Sequence, residues 1–259
     1  MTPRTSVLMP ALNSEATIRE AVESVLAQTV GDLEVIVVDN GSRVPVAEAL
    51  GGIGDDRVRI LRSERNHGVG GGRNVALARA RAPLVSQLDA DDLWEPHYLE
   101  SILPCFDDPE VGLAYSNALI LEHPTGHTDY IGDPSVHPMD RFPKIAEQCP
   151  IPCPTATLRT SALRGIGGYA GWLGMVEDYH MYLRLARAGW RFAYVHRQLV
   201  RYRWPQPHRG ITYRKREQEL WELAAFAHFV LLHPRTPGPR RQVRTRARRE
   251  IDRLLHFGR

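Results

Sequence analysis

Asp89-Ala90-Asp91-Asp92 closes the apolar run Leu84-Val85-Ser86-Gln87-Leu88 and sets three carboxylates within four positions. Like charges that close repel and lose hydration, so either water and a helix terminus or a metal ion must offset them. Two carboxylates two residues apart at a strand end can bring their oxygens to one point as the chain turns out of a sheet. Such hard oxygens suit Mg²⁺ or Mn²⁺, which keep their other positions for water and substrate phosphates. Asp89 and Asp91 are therefore candidate metal ligands, with a diphosphate completing the site. Asp39 follows a second apolar run, Leu33 to Val38, and can hydrogen-bond a base or a ribose. Asn66-His67-Gly68-Val69-Gly70-Gly71-Gly72-Arg73-Asn74 adds small residues that permit close backbone approach. Arg73 can hold a phosphate or fix the carboxylates. This stretch is neither a P-loop nor a dinucleotide fingerprint, and a flexible turn explains its glycines equally well.

These residues need a scaffold, and the first hundred positions supply one. Ser6-Val7-Leu8-Met9 reads as a buried strand ahead of Pro10, and Ile18, Ala21, Val22, Val25 and Leu26 recur at helical spacing. Leu33 to Val38 is a β-branched strand ending in the turn Asp39-Asn40-Gly41-Ser42. A weak helix around 46–50, a strand over 58–61, a helix over 74–80 and the strand over 84–88 follow. Alternating strands and crossover helices predict a mainly parallel, Rossmann-like sheet covered on both faces, with ligands beyond the carboxyl ends of the strands. Pro10 to Asn13, Asp39 to Ser42 and Asp89 to Asp92 all fall at that edge. Singly each has a structural explanation, Asp92 for instance as the N-cap of a helix through Tyr98 and Ile102. Together they describe a pocket.

The second half is less regular. A strand or hairpin over 112–121, a loop over 126–133, a helix over 139–147, a rigid connector over 150–154 and a short strand at 156–159 are expected. The glycines of 165–174 suit a mobile loop, beside Tyr169 and Trp172. A helix begins near Glu177 and stops at Gly189, a strand runs over 192–202, and 213–232 is helical before the Pro234–Pro239 breaker.

In order and rough spacing, Ser6 to Asn13, Asp39-Asn40-Gly41-Ser42, Asn66 to Asn74, Asp89 to Asp92 and Glu177-Asp178 resemble the family 2 glycosyltransferases, inverting enzymes of the GT-A fold. The resemblance spans about residues 4 to 205. It implies that Asp39 recognises the donor base and that Pro10, Ala11, Asn13 and Glu15 line the nucleoside. It likewise puts Asn66, Gly68, Arg73 and Ala90 on the donor side. Asp89 and Asp91 match the metal–diphosphate motif, with Asp91 the direct ligand. Asp178 matches the general base, at a helix start where the dipole favours its ionised form, and Trp172 and Glu177 fall on the acceptor side. The family's second aspartate is Asn40 here. A histidine that helps bind metal or diphosphate has His208 as its candidate, set further out behind Arg203-Trp204-Pro205-Gln206-Pro207. Trp172 and Trp204 can stack on sugar rings.

The implied protein has a GT-A domain over 1–210, with a nucleotide-sugar half over 1–110 and an acceptor half over 111–210, and a helical extension over 211–259. It takes a UDP, dTDP or GDP sugar with Mn²⁺ or Mg²⁺, and a saccharide, lipid-linked, small-molecule or peptide acceptor. A sugar nucleotidyltransferase would need a glycine-rich basic loop after the first strand, where Pro10-Ala11-Leu12-Asn13 stands. A non-catalytic sugar-nucleotide binder or partner subunit has no need of both Asp91 and Asp178.

Of the 259 residues, 43% are apolar and 24% charged, as in ordinary globular proteins. No apolar run approaches the roughly 20 residues that span a bilayer, and the N-terminus lacks a signal-peptide core. The expectation is a cytoplasmic protein with Cys105, Cys149 and Cys153 reduced. From Arg235 onward nine arginines face only Glu250 and Asp252, although the whole chain carries +3. This tail can meet nucleic acid, anionic lipid or a pyrophosphate-bearing substrate, or dock a partner subunit or a second copy, and a solvated helix face explains it equally well. Nothing in the folded region offers the aromatic and basic surface of a nucleic-acid binder.

Overall fold

In the computed structural model the described residues are 2–121, 144–146, 149, 151–203, 215–235, 241, 243–245 and 247–248. Strand β1 (Thr5–Ala11) lies between β2 (Leu33–Asp39) and β4 (Leu84–Gln87), and β3 (Val58–Arg62) flanks β2. All four run parallel, in register from Thr5 opposite Leu33 to Ala11 opposite Asp39. The period of two sorts their side chains. Leu8, Ile36 and Val38 pack on the side of Ala76 and Leu77 in α3 (Gly68–Arg79). Val7, Met9, Val35 and Val37 pack on the side of Ile18, Ala21 and Val22 in α1 (Ile18–Leu26). Strands buried on both faces need the unbroken apolar runs seen in β1 and β2. A short α2 (Val46–Ala49) follows the turn after β2.

The second half extends the same sheet but mixes directions. After the two-residue β5 (Leu93–Trp94) and α4 (Tyr98–Ile102) come β6 (Val111–Leu121), β7 (Thr157–Arg159), α5 (Thr160–Gly165), α6 (Glu177–Arg187), β8 (Arg191–Arg203) and α7 (Lys215–Leu232). The eight-stranded order is β3-β2-β1-β4-β7-β6-β8-β5. Strand β7 is antiparallel to both β4 and β6, β6 and β8 are parallel, and β5 pairs antiparallel with β8. Helix α7 buries Phe226 and Phe229 in the cluster that holds Tyr179 and Leu183 of α6.

Several elements depart from the sequence reading. The glycine stretch is no turn: α3 already begins at Gly68, whose φ of 71° makes the entry bend. Asp92 caps no helix. His97 holds the N-cap position of α4, while Asp92 is buried and its Oδ1 accepts the Arg203 backbone N–H at 2.8 Å. Segment 165–174, expected to be mobile, is pinned by Asn74. The Asn74 side chain donates to the Tyr169 carbonyl and accepts from the Tyr169 N–H, both at 2.9 Å. Helix α5 was not anticipated, and of the expected helix over 139–147 the described part is a 3-10 turn at Lys144–Ala146. The loop over 126–133, Trp204 and His208 lie outside the described residues.

Candidate active site

The parallel register brings the ends of β1, β2 and β4 to one edge. There Asp39 is 1% exposed and organises the turn behind β2. Its Oδ1 accepts the Ser42 N–H at 2.8 Å, and its Oδ2 accepts the Val46 N–H at 3.1 Å and Arg62 Nη1 at 2.6 Å. Burial pushes this carboxyl up, but the donors of Ser42 and Val46 and the Arg62 guanidinium outweigh it and hold Asp39 below the usual range. The β1 loop is laced to the same turn. Asn13, in the left-handed region at φ 50°, donates its N–H to Ser42 Oγ and accepts the Arg43 N–H, each at 3.0 Å. Asn40 donates its backbone N–H to the Ala11 carbonyl and its side-chain amide to the Gly68 carbonyl. Pro10 and Ala11 are buried, Glu15 and Asn66 are exposed, and Asn66 Oδ1 accepts the Gly68 N–H at 2.8 Å.

Two of the helical glycines have a steric reason. A Cβ on Gly72 would stand 2.7 Å from Asn40 Nδ2 and 3.1 Å from Pro10 Cβ; one on Gly70 would stand 2.9 Å from Glu177 Cγ. Helix α3 thus lies directly against the turn after β2 on one side and the start of α6 on the other. That approach carries Arg73 inside, to 1% exposure. Its Nη2 is ion-paired with Asp89 Oδ1, its Nη1 donates to Glu177 Oε1 at 2.5 Å, and its guanidinium sits 5.7 Å from the Tyr169 ring centre. Burial works against the Arg73 charge, but the carboxylates of Asp89 and Glu177 hold it protonated. Of the two roles read for Arg73 from sequence, its two ion pairs match the second: it fixes carboxylates. Glu177, read as acceptor-side, is 6% exposed and faces Arg73. Burial pushes its carboxyl up to about 7 against the pull of Arg73.

Asp91 lies exposed at this edge, and the surrounding protein together with the Asp89 charge pushes it up to about 6. Asp92 is driven up by burial and by Asp91 and Asp89, and its Oδ2 is buried without a partner. The charge of Asp89 thus acts against ionisation of both Asp91 and Asp92. Among the described residues no three His, Cys, Asp or Glu side chains are grouped so that together they could hold a metal ion. An open oxygen pair that leaves room for water and phosphate is what Mg²⁺ or Mn²⁺ accepts. Because Arg73 engages Asp89, Asp91 is the freer carboxylate of the two. Asp178, at the first turn of α6, accepts the Tyr179 N–H at 2.7 Å. Burial raises its pKa above the usual carboxylate value, while Arg73 and the helix-start N–H groups act in the opposite direction. Trp172 is 52% exposed and stands edge-on to His228 of α7 at 5.0 Å.

Arg62, Tyr169 and Cys153 were missed in the sequence reading. Arg62 was findable, since β3 in register with β2 sets Arg62 opposite Asp39. Tyr169 and Cys153 approach Arg73 from distant segments that no spacing rule connects.

A family model described as "Glycosyl transferase family 2" matches residues 6–164. Two relatives from Escherichia coli, WfgD and WfaP, are both named UDP-Glc:alpha-D-GlcNAc-diphosphoundecaprenol beta-1,3-glucosyltransferase. Each is 27% identical to this chain, over 67% and 66% of it respectively and 70% of the relative. Among solved structures, mannosyltransferase PcManGT from Pyrobaculum calidifontis, in complex with GDP-Man and Mn²⁺, has a TM-score of 0.69 at 20% identity. That match covers 95% of this chain and 69% of that one. S. aureus TarS 1-349 in complex with UDP-GlcNAc has a TM-score of 0.68 at 18% identity, covering 88% of this chain and 66% of TarS. At such identities the likeness speaks for the architecture, which is the GT-A fold.

Proposed function

The chain belongs to glycosyl transferase family 2 and is a glycosyltransferase; from that premise we propose a metal-dependent, inverting transfer from a nucleoside diphosphate sugar to a lipid-linked acceptor. The observation that carries this reading is the Arg73 bridge. It ties Asp89, at the donor edge, to Glu177, the neighbour of Asp178, so that the two halves of the chemistry share one buried cation.

In this reading Asp39 and the loop of Pro10, Ala11, Asn13 and Glu15 take the nucleoside. Asn66, Gly68 and Ala90 border the sugar diphosphate, and Asp91 with Asp89 hold the divalent ion. Bound there, Mn²⁺ or Mg²⁺ offsets the charge that grows on the departing diphosphate. Asp178 takes the proton of the acceptor hydroxyl as its oxygen bonds to the anomeric carbon from the face opposite the breaking bond to diphosphate. A carboxyl raised by burial is a stronger base once ionised, and Arg73 favours the ionised form. Trp172 offers an aromatic face to the acceptor. Residues 1–110 then form the donor half, 111–210 the acceptor half and 211–259 an appended element. The acceptor class follows the relatives WfgD and WfaP, whose names specify a diphosphoundecaprenol-linked sugar. No described helix is long and apolar enough to cross a membrane, so the reading places the enzyme peripherally at the cytoplasmic membrane face.

Thermal melting with a panel of nucleoside diphosphates and their sugars, with and without Mn²⁺, tests the assignment. Ligands that bind the folded state raise the melting temperature. One nucleotide class should stabilise with metal, Asp91→Asn should remove that gain, and Asp178→Asn should keep it while abolishing transfer. A protein indifferent to every nucleotide would overturn the donor site.

A further inference from the structure

From Leu220 to its end, helix α7 is apolar around nearly its whole circumference. Between Leu220 and Leu232 the only charged residue is Glu222. Its inner side buries Ala225, Phe226 and Phe229 against the domain. At 100° per residue, Leu220, Ala227 and Leu231 share the opposite side. There Leu220 is 47% exposed and Leu231 78%, and at the end of the helix Leu232, on another side, is 51% exposed. A helix apolar on both sides needs cover on both, and the described residues provide it on one.

The segment after α7 indicates the cover. Arg235 is exposed, and in the helical residues 241, 243–245 and 247–248 Arg241, Arg244 and Arg248 are exposed at i, i+3 and i+7. Val243 packs against the domain core that also receives Phe226 and Phe229, and Arg235 stands three residues beyond the exposed Leu232, so the exposed arginines follow directly along the chain from the exposed leucines at the end of α7. Leucines beside arginines are the pattern of an interfacial helix, with apolar side chains in the acyl boundary and guanidinium groups on lipid phosphates. A second copy of the chain would bring its own arginines against these. Nucleic acid would use the arginines and leave the leucines without a role.

We propose that the outer stripe of α7 (Leu220, Leu231) and its end residue Leu232, together with Arg235, Arg241, Arg244 and Arg248, form a docking surface for an anionic lipid bilayer. Helix α7 also packs on α6, which begins at Glu177 and Asp178: His228 Nδ1 lies 3.1 Å from His180 Nε2, and the rings of Phe226 and Tyr179 meet edge-on. Docking through α7 therefore sets the acceptor side of the domain near the headgroups. That orientation rests on the lipid-linked acceptor of the proposed function, whereas the docking surface does not.

Sedimentation of the full chain with phosphatidylcholine vesicles, with and without about one third phosphatidylglycerol, tests the surface. Binding is expected only to the anionic vesicles and should weaken with salt. Arg241→Gln/Arg244→Gln/Arg248→Gln should lower the partition coefficient on the order of 100-fold, at about 1 kcal/mol per arginine. Leu231→Asp should lower it as well, with circular dichroism and melting temperature unchanged. Equal binding to duplex DNA that Leu231→Asp leaves intact would overturn the proposal in favour of nucleic acid. A dimer dissolved by Leu231→Asp, with no vesicle binding, would overturn it in favour of a second copy. Failure to bind vesicles while nucleotide and metal still raise the melting temperature would reject the docking surface and leave the transferase site standing. Vesicle binding without any nucleotide response would do the reverse.

Discussion

Replacing Arg73 by Met removes one buried cation from between two carboxylates. Arg73 and Glu177 have side chains 1% and 8% exposed, whereas Asp89 is 29% exposed and can turn to water. The loss therefore falls mainly on Glu177, and stranding a buried charge costs about 3–5 kcal/mol. Glu177 can escape part of that by binding a proton, because burial already holds it at about 7 in the intact protein. Without Arg73 its folded pKa rises further above the unfolded value. A group raised in this way adds stability that is complete below the unfolded pKa and disappears as pH climbs through the folded one. The deficit of the variant relative to wild type should thus be smallest near pH 6 and grow above about pH 7, by at most about 1.4 kcal/mol per unit. Urea unfolding followed by circular dichroism at about pH 6 and about pH 8 measures this. Adding Glu177→Gln should flatten the pH dependence and restore about 1–2 kcal/mol, because removing both partners leaves no stranded charge. A deficit below about 1 kcal/mol that ignores pH, or a double variant no better than the single one, would refute the argument.

Gly72→Ala reverses an ordinary rule. In a helix interior this exchange usually gains about 1 kcal/mol, but here the new methyl meets Asn40 at 2.7 Å and Pro10 at 3.1 Å. A loss of about 1–3 kcal/mol is expected, and a raised melting temperature would contradict the close contact of α3 with the donor turn. The depressed Asp39 carboxyl contributes stability above its unfolded pKa and gives it up as pH falls through its lower folded value. Asp39→Asn should therefore flatten the acid limb of the stability curve below pH 3.8. Trp94→Phe strands the Pro154 carbonyl that the buried indole N–H reaches at 3.0 Å. Denaturation should show a loss of about 1–3 kcal/mol with nucleotide binding intact.

The first half of the chain was legible because its physics is local and periodic. Unbroken apolar runs such as Val35 to Val38 can be satisfied only by strands covered on both faces, and parallel crossovers then send Ala11, Asp39 and the carboxylates after Gln87 to one edge. The glycines misled, since helix propensity favours a turn, whereas contacts of Gly70 with Glu177 and of Gly72 with Asn40 and Pro10 call for small residues inside a helix. For Asp178 the helix dipole, a term of a few tenths to one kcal/mol, was legible at the helix start, whereas the burial that raises its pKa was not.

Residue types and their order along the chain were enough to set out the α/β sheet, the edge that carries the carboxylates and the family resemblance. The tertiary structure decided what those residues do to one another. Across 104 positions it joined Arg73 to Glu177, and it turned a possible phosphate ligand into a buried clamp. It also left Leu220 and Leu231 of α7 exposed. The physical reason is the range of the forces involved. Periodic burial and turn chemistry act over a few residues and are written in the sequence, whereas desolvation and ion pairing depend on which distant segments close around a group.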